Sequence, residues 1–587
     1  MALTETRPDT PARAASATRP ATSVDGLLGT GDHKVVGRLF IGGGIVGLIG
    51  ALVLGVVAVA FANNYDNPAA DAFDYLPQIW SMSRDLAVFG GLVPILVGLG
   101  VYLVPLQVGA PSLAFPRGAA GAVWTWFLGT DFLILAYLLN GGPGGGRRDF
   151  VVLWAASLAM MIGALLWALV CVAATILGAR TQGMSLDKVP FTTWSFLVFA
   201  LIGLVSLPVV VGELLLAFLR IRYLHLPISE SAQLAGVGDS VNLAPALYWL
   251  AIPVLGMAAD IIGVHTERPV RMRKPMMGAI GLFGILAFGP PLVGMASVRP
   301  VDFDNAFLVI ALVGAVLPVL AVLGLAGDSL RLGRFVPRTA LIGALLSGLL
   351  LLLAAVVALL AIIEPVQSFL DDLFPDRIDM TQTLILNGTR FHEGIRALVV
   401  GAVLVALIAA LHHWSTKIWG RKMTEPLGIV ALLATAAGAV ILAAGEIAAG
   451  VDDQPWLPAR ATDDYASGLA AVSLIGAIVL AAGAVVLGAN MAMSFLGTKP
   501  AGSSPNPWSG TTLEWATPSP PPVGNFPAPP IVHSATPLAD GELQYALVAG
   551  TDAEAVAGPE SAVDAGDGEG SEAAADEAAD SDGGDDR

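Results

Sequence analysis

A single cysteine, Cys171, in 587 residues excludes an intramolecular disulfide and any metal site built from several thiolates. Set inside an apolar run, it reads as a small core residue. Charge is scarce as well: Asp, Glu, Lys and Arg make up 13% of the chain, too little polar material to solvate a protein that is 55% hydrophobic with a mean hydropathy of +0.73. A net charge of −17 does not point to a nucleic-acid partner. The first 30 residues, rich in Ala, Thr, Pro and Arg, lack the apolar stretch of a cleaved signal peptide. Histidine is limited to seven positions, 33, 225, 265, 392, 412, 413 and 533, so any imidazole-ligated centre must be assembled from these.

What is present is apolar sequence in long runs. A hydrocarbon core of about 30 Å takes about 20 mostly apolar residues per helix, and twelve stretches meet that length: 38–61, 86–106, 119–140, 150–177, 190–218, 243–265, 276–297, 304–327, 338–363, 390–414, 425–448 and 464–492. The fold class predicted is all-α, a polytopic bundle of about 12 transmembrane helices in a lipid bilayer. Gly- and Ala-rich runs such as 42–44 and 434–439 let helices approach closely in lipid. An even number of spans puts both ends on one side, and that side carries Lys and Arg in excess by about two to one, which predicts cytoplasmic termini. Four regions follow: a disordered arm at 1–31, the membrane domain at 32–499, a Pro- and Trp-rich cytoplasmic strap at 500–535 and a disordered tail at 536–587. The tail's crowded Asp and Glu from Asp552 onward carry much of the negative charge.

Four segments resemble subunit I of the heme-copper respiratory oxidases (cytochrome c oxidase subunit I-like). Asp32-His33-Lys34 with Gly37-Arg38-Leu39 is similar to the start of that family's first helix. Leu103 to Pro111 followed by Ala114-Phe115-Pro116-Arg117 is similar to the end of its second. Gly183-Met184-Ser185-Leu186 to Trp194, then Leu204 to Pro208, match a third stretch, and Asn506-Pro507-Trp508, Thr512-Leu513-Glu514-Trp515 and Pro518 to Phe526 match its strap. These motifs span residues 32–526 in family order; as Pro and Gly turns at helix ends, they speak for fold and not for activity.

The resemblance implies a six-coordinate low-spin heme held by histidines of the second and tenth helices. It also implies a second heme and a copper on histidines of helices six, seven and ten, since neutral imidazole suits both metals. Carried over position by position, most of that set is missing. Ser83 falls at the first heme ligand. Tyr248-Trp249 runs on through Leu250 to Gly256 where a copper ligand and a proton-delivering glutamate belong, and Pro290-Pro291 falls at the paired copper histidines. Arg390-Phe391-His392 stands where the tenth helix carries two histidines, leaving one axial position, His392. The conducting lysine of helix eight becomes Val322, and the propionate-binding arginine pair is absent near Gln454-Pro455-Trp456.

His412 and His413 lie about 30 Å from His392 along one helix at 1.5 Å per residue, and His33, His225, His265 and His533 fall in loops or tails, where solvated histidines are expected. His392 is read as a hydrogen-bonded remnant, or as a heme ligand completed by a partner subunit. Asp131, Glu213, Asp260 and Arg396 lie inside predicted spans; each is a functional flag, with pairing of Asp131 or Asp260 to Arg396 the structural alternative. The expectation is a ligand-deficient, non-catalytic companion in a prokaryotic plasma membrane, with no heme or copper and with other respiratory oxidase subunits as partners. The alternatives are an active terminal oxidase subunit and a proton or ion conduit centred on Glu213.

Overall fold

The computed structural model describes residues 29–62, 76–143, 145–224, 244–296, 303–360, 389–452, 454, 464–496 and 504–546, without side-chain detail at 62, 244–246, 287–313, 360 and 464–465. Twelve long helices account for most of these residues: α1 His33–Ala62, α2 Leu76–Gln107, α3 Pro116–Leu138, α4 Arg148–Gly178, α5 Phe191–Tyr223, α6 Ala244–His265, α7 Arg273–Ala296, α8 Phe303–Leu332, α9 Thr339–Leu360, α10 Phe391–Trp419, α11 Glu425–Val451 and α12 Asp464–Leu496. Eleven, all but α7, are long and apolar enough over their described residues to cross a membrane. The twelve predicted spans correspond to these helices one for one. His225, Pro455 and Trp456 lie outside the described residues, as do the predicted arm through residue 28 and the tail beyond 546.

α2 departs most from expectation, starting ten residues before the predicted 86. Its first turns, Leu76–Asp85, carry Gln78, Ser83, Arg84 and Asp85, all buried. Their polarity hides the span from a hydropathy reading, yet each finds a partner inside the bundle. Gln78 accepts from Gly142 N at 2.7 Å and donates to Pro143 O at 3.1 Å. Asp85 accepts from the Tyr137 hydroxyl at 2.6 Å and the Trp154 indole at 3.1 Å. A π-helical stretch, Leu86–Leu92, then joins this part to the apolar Val93–Gln107.

α2, α10 and α6 are the most enclosed helices; the others turn one flank outward. α3, α4 and α5 pack in a row, and α10, α11 and α12 in another. Close helix contact depends on missing side chains at a few points. A Cβ on Gly476 would stand 2.1 Å from Leu442 N, and one on Gly438 would stand 2.3 Å from Leu480 N, so α11 and α12 touch backbone to backbone.

The strap is extended, with a 3-10 turn at Leu513–Ala516 and a two-stranded antiparallel ribbon, β1 Pro530–Ile531 and β2 Gln544–Tyr545. Ordered chain thus runs about ten residues past the predicted boundary at 535. It binds helix ends through buried polar contacts. Asn525 donates to Ala110 O at 2.8 Å and accepts from Lys34 Nζ at 3.3 Å, Trp508 donates to His413 O at 2.9 Å, and Lys417 Nζ donates to Thr517 O. These contacts fix one end of the bundle, hereafter the strap side.

Candidate functional site

At the other end of the bundle, a cleft opens among α1, α2, α10, α11 and α12. Ala51 and Gly55 of α1 form its apolar wall, and Ser83, Arg84, Arg396 and Glu446 mark its polar end. Its volume is about 80 Å³; a water occupies roughly 10–15 Å³ on this measure, so a few waters fit. Arg84 of α2 reaches Glu393 of α10 at 3.0 Å, and Arg396, one turn on, lies 3.6 Å from the same carboxylate. Arg390, at the N-terminal end of α10, meets Glu446 of α11 in a bidentate pair, Nε to Oε2 at 2.8 Å and Nη2 to Oε1 at 2.7 Å. The planar guanidinium fork matches a carboxylate in this geometry. Arg84 is 2% exposed and Glu446 2%, so these charges sit in low dielectric, where each is costly without its own partner, Glu393 or Arg390. Ser83 turns back and donates to Trp80 O at 2.8 Å. His392 is half-buried and not among the residues lining the cleft, although its neighbour Glu393 is.

The strap side holds a second polar cluster. His265, the last residue of α6, lies 3.1 Å from His413 of α10, ring nitrogen to ring nitrogen, and both pack against strap tryptophans, His265 on Trp508 and His413 on Trp515. His412 faces Asn490 of α12 at 3.3 Å. The expectation of solvated histidines fails for His265 and His33, which are 5% and 2% exposed. His265 is roofed by the strap, and His33 begins α1 beneath it. His533 is exposed, as expected. Glu514 of the strap is buried against α2, accepting from Gln107 Nε2 at 3.1 Å. Burial raises its carboxyl above the usual range, only partly offset by hydrogen bonds from Thr512 and Gln107.

The sequence matches the family described as cytochrome c and quinol oxidase polypeptide I over residues 34–486. The chain belongs to the heme-copper oxidase subunit I family. Among its relatives, cytochrome c oxidase subunit 1 of Bacillus subtilis (strain 168) is 26% identical over 545 residues, covering 87% of this chain and 82% of that protein. Alternative cytochrome c oxidase subunit 1 of Bradyrhizobium diazoefficiens is 26% identical, covering 77% and 80%. A solved heme-copper terminal oxidase dimer is similar in fold, with a TM-score of 0.62 at 13% identity, covering 80% of this chain and 85% of that one.

Within this oxidase subunit I fold, the cleft between α2 and α10 is where the resemblance places the low-spin heme. The second centre would fall among α6, α7 and α10. There Trp249 stacks on Phe199 at 4.3 Å and donates to Phe199 O, Tyr248 meets the edge of Phe283, and Leu250 to Ile252 are fully buried. Among the described residues, no three His, Cys, Asp or Glu side chains converge as a metal site. Val322 is buried in α8. The side chains of Pro290 and Pro291 lie outside the described set.

The four intramembrane candidates separate. Arg396 joins the cleft network, as above. Asp260 accepts from Phe191 N at 3.2 Å and Thr192 N at 2.7 Å, capping the first turn of α5. The expected pairing of Arg396 with Asp131 or Asp260 is therefore corrected, because Arg396's carboxylate neighbour is Glu393, three residues before it on α10, where i and i+3 share a face. Asp131 is exposed on the outer flank of α3 and Glu213 is half-buried on α5; neither makes a hydrogen bond or ion pair among the described residues. Arg84, Asp85, Glu393 and Glu446 were not flagged from sequence. The available signal was three arginines, 84, 390 and 396, near the same end of their spans, with carboxylates at 393 and 446 inside predicted helices.

Proposed function

We propose that this oxidase subunit I homologue is a non-catalytic companion: a membrane scaffold that assembles with a respiratory complex and does not itself reduce oxygen. One observation carries the reading. The place that would hold the low-spin heme between α2 and α10 is bridged by Arg84–Glu393, with Arg396 beside it and Arg390–Glu446 alongside. Heme iron takes neutral imidazole or thiolate donors, and a guanidinium has no lone pair to offer. Ser83's hydroxyl is already directed to Trp80 O. The residues of this cleft therefore fit the group poorly. The same holds at α6, where carbon side chains fill the position of the copper ligand and the glutamate. In this reading the membrane is the prokaryotic plasma membrane, with the strap side cytoplasmic, in keeping with the Lys and Arg bias of its loops.

The names of the relatives favour a second reading, an active terminal oxidase subunit that passes electrons to oxygen and pumps protons. A visible reduced-minus-oxidised spectrum with metal analysis on the purified protein separates the two. The companion reading expects neither a heme band nor stoichiometric iron and copper; one heme pair and one copper per chain would overturn it. A conduit centred on Glu213 lacks polar neighbours, since that residue is half-buried on α5 with no hydrogen bond or ion pair among the described residues, and neutralising Glu213 should leave proton flux in liposomes unchanged.

A further inference from the structure

We propose that the cleft among α1, α2, α10, α11 and α12 binds a small free monoanion, of the size of chloride or formate, held by Arg84, Arg396 and the indole N–H of Trp80. The inference deepens the companion reading and rests on it, since that reading leaves the cleft without heme. Charge is the first observation. Three guanidiniums, Arg84, Arg390 and Arg396, meet two carboxylates, Glu393 and Glu446, in this cluster. Both oxygens of Glu446 are engaged by Arg390 in the bidentate pair, so Arg84 and Arg396 share the single charge of Glu393, at 3.0 and 3.6 Å. The next carboxylate on α2, Asp85, is turned away toward Tyr137 of α3 and Trp154 of α4. Buried lysines and carboxylates shed an unmatched charge by changing protonation, whereas a guanidinium stays charged in proteins. The cluster thus carries one more positive than negative charge, in surroundings of low dielectric where an anion is attracted strongly.

Space and donors are the second. Arg84 and Arg396 both line the cleft, whose volume of about 80 Å³ holds one small anion with some water. Trp80 lines it too, and its Nε1–H is buried with no acceptor among the described residues. The Trp80 ring lies 5.8 Å from the Arg84 guanidinium carbon, so the spare donor and the charge belong to the same part of the wall. A buried donor without an acceptor is costly, and a bound anion supplies the acceptor. Guanidinium donors make charge-assisted hydrogen bonds to such a guest, while the apolar wall of Ala51 and Gly55 and the small volume exclude a bulky, hydroxylated one.

The test uses the full-length protein in a neutral detergent without added lipid. Its thermal midpoint, followed by tryptophan fluorescence, is measured while sodium gluconate, whose anion is too large for the cleft, is replaced by sodium chloride or sodium formate at constant ionic strength. A ligand that binds only the folded state raises the midpoint progressively with its concentration above the dissociation constant. The expected result is such a rise with both small anions. Arg396→Gln, which removes one charge-assisted hydrogen bond, should raise the concentration at which the rise sets in by about tenfold or more. Arg396→Lys, which keeps the charge, should stay closer to the parent. Trp80→Phe, which keeps a ring and removes the donor, should raise that concentration about fivefold. Should Arg396→Gln fail to fold, Trp80→Phe decides alone, and an unchanged concentration overturns the proposal. A midpoint indifferent to the exchange, a response that Arg396→Gln leaves unchanged, or one that appears only with added anionic lipid would each overturn it. Heme content measured on the same preparation keeps the two readings apart: bound heme overturns the companion reading and the anion site with it, whereas heme-free protein without an anion effect overturns the anion site alone.

Discussion

Removing one member of the Arg390–Glu446 pair should destabilise the bundle far more than removing both. The pair is bidentate at 2.7 and 2.8 Å, and Glu446 is 2% exposed. Arg390→Met leaves a carboxylate in apolar surroundings between α10 and α11, and Glu446→Met leaves a guanidinium there. Breaking a buried pair in this way costs about 3–5 kcal/mol, whereas replacing both partners with apolar groups of similar volume is often neutral or stabilising. At an effective dielectric constant near 20, two charges about 4 Å apart attract by about 4 kcal/mol, in line with the single-variant cost. The assay is thermal unfolding in one detergent, followed by the fluorescence of the chain's 12 tryptophans, for the parent, both single variants and the double. The expected pattern is two strongly lowered midpoints and a double variant near the parent. Equal and additive losses would refute the reasoning, because they would mean that the two charges do not depend on each other.

Asp260→Ala should lower stability by about 1 kcal/mol, through loss of the cap on α5, with the unfolding midpoint as readout and no change as the contrary result. Gly476→Val should prevent the monodisperse protein from accumulating, because its Cβ would meet Leu442 N at 2.1 Å; size-exclusion chromatography after membrane extraction reports this. Glu514 has its folded pKa raised by burial, so its contribution is fully present below the unfolded pKa and is lost as pH rises from that value toward the folded one. Glu514→Gln, which keeps an acceptor for Gln107, should match the parent near pH 4 and exceed it in midpoint near pH 8. A parent whose midpoint rises over that interval relative to the variant would contradict the sign.

The bundle was legible because lipid imposes one rule on every span, and the spans obey it. Where the rule failed, the cause was local. Gln78, Arg84 and Asp85 lower the hydropathy of the first ten residues of α2, yet the helix continues because Gly142, Glu393, Tyr137 and Trp154 satisfy them from other parts of the chain. Such partners are distant in sequence and invisible to periodicity. Arg390 shows the same limit: its position was conspicuous as a cation in place of histidine, but its answer, Glu446, lies on the next helix. His265 read as a loop histidine because it ends a span, and only the strap's return over that end buries it. Conversely, Asp131 and Glu213 lay where the spans placed them, and sequence alone could not tell an inner flank from an outer one.

A π-helical turn at Leu86–Leu92 divides α2 into its polar first turns and its apolar remainder. Such a segment accommodates an additional residue within a helix, and every position before it is thereby rotated by about 100° relative to the positions after it. Arg84 looks toward α10 and Asp85 toward α3 and α4. Gaining or losing one residue in this stretch would exchange the side chain presented to the cleft without any substitution in it.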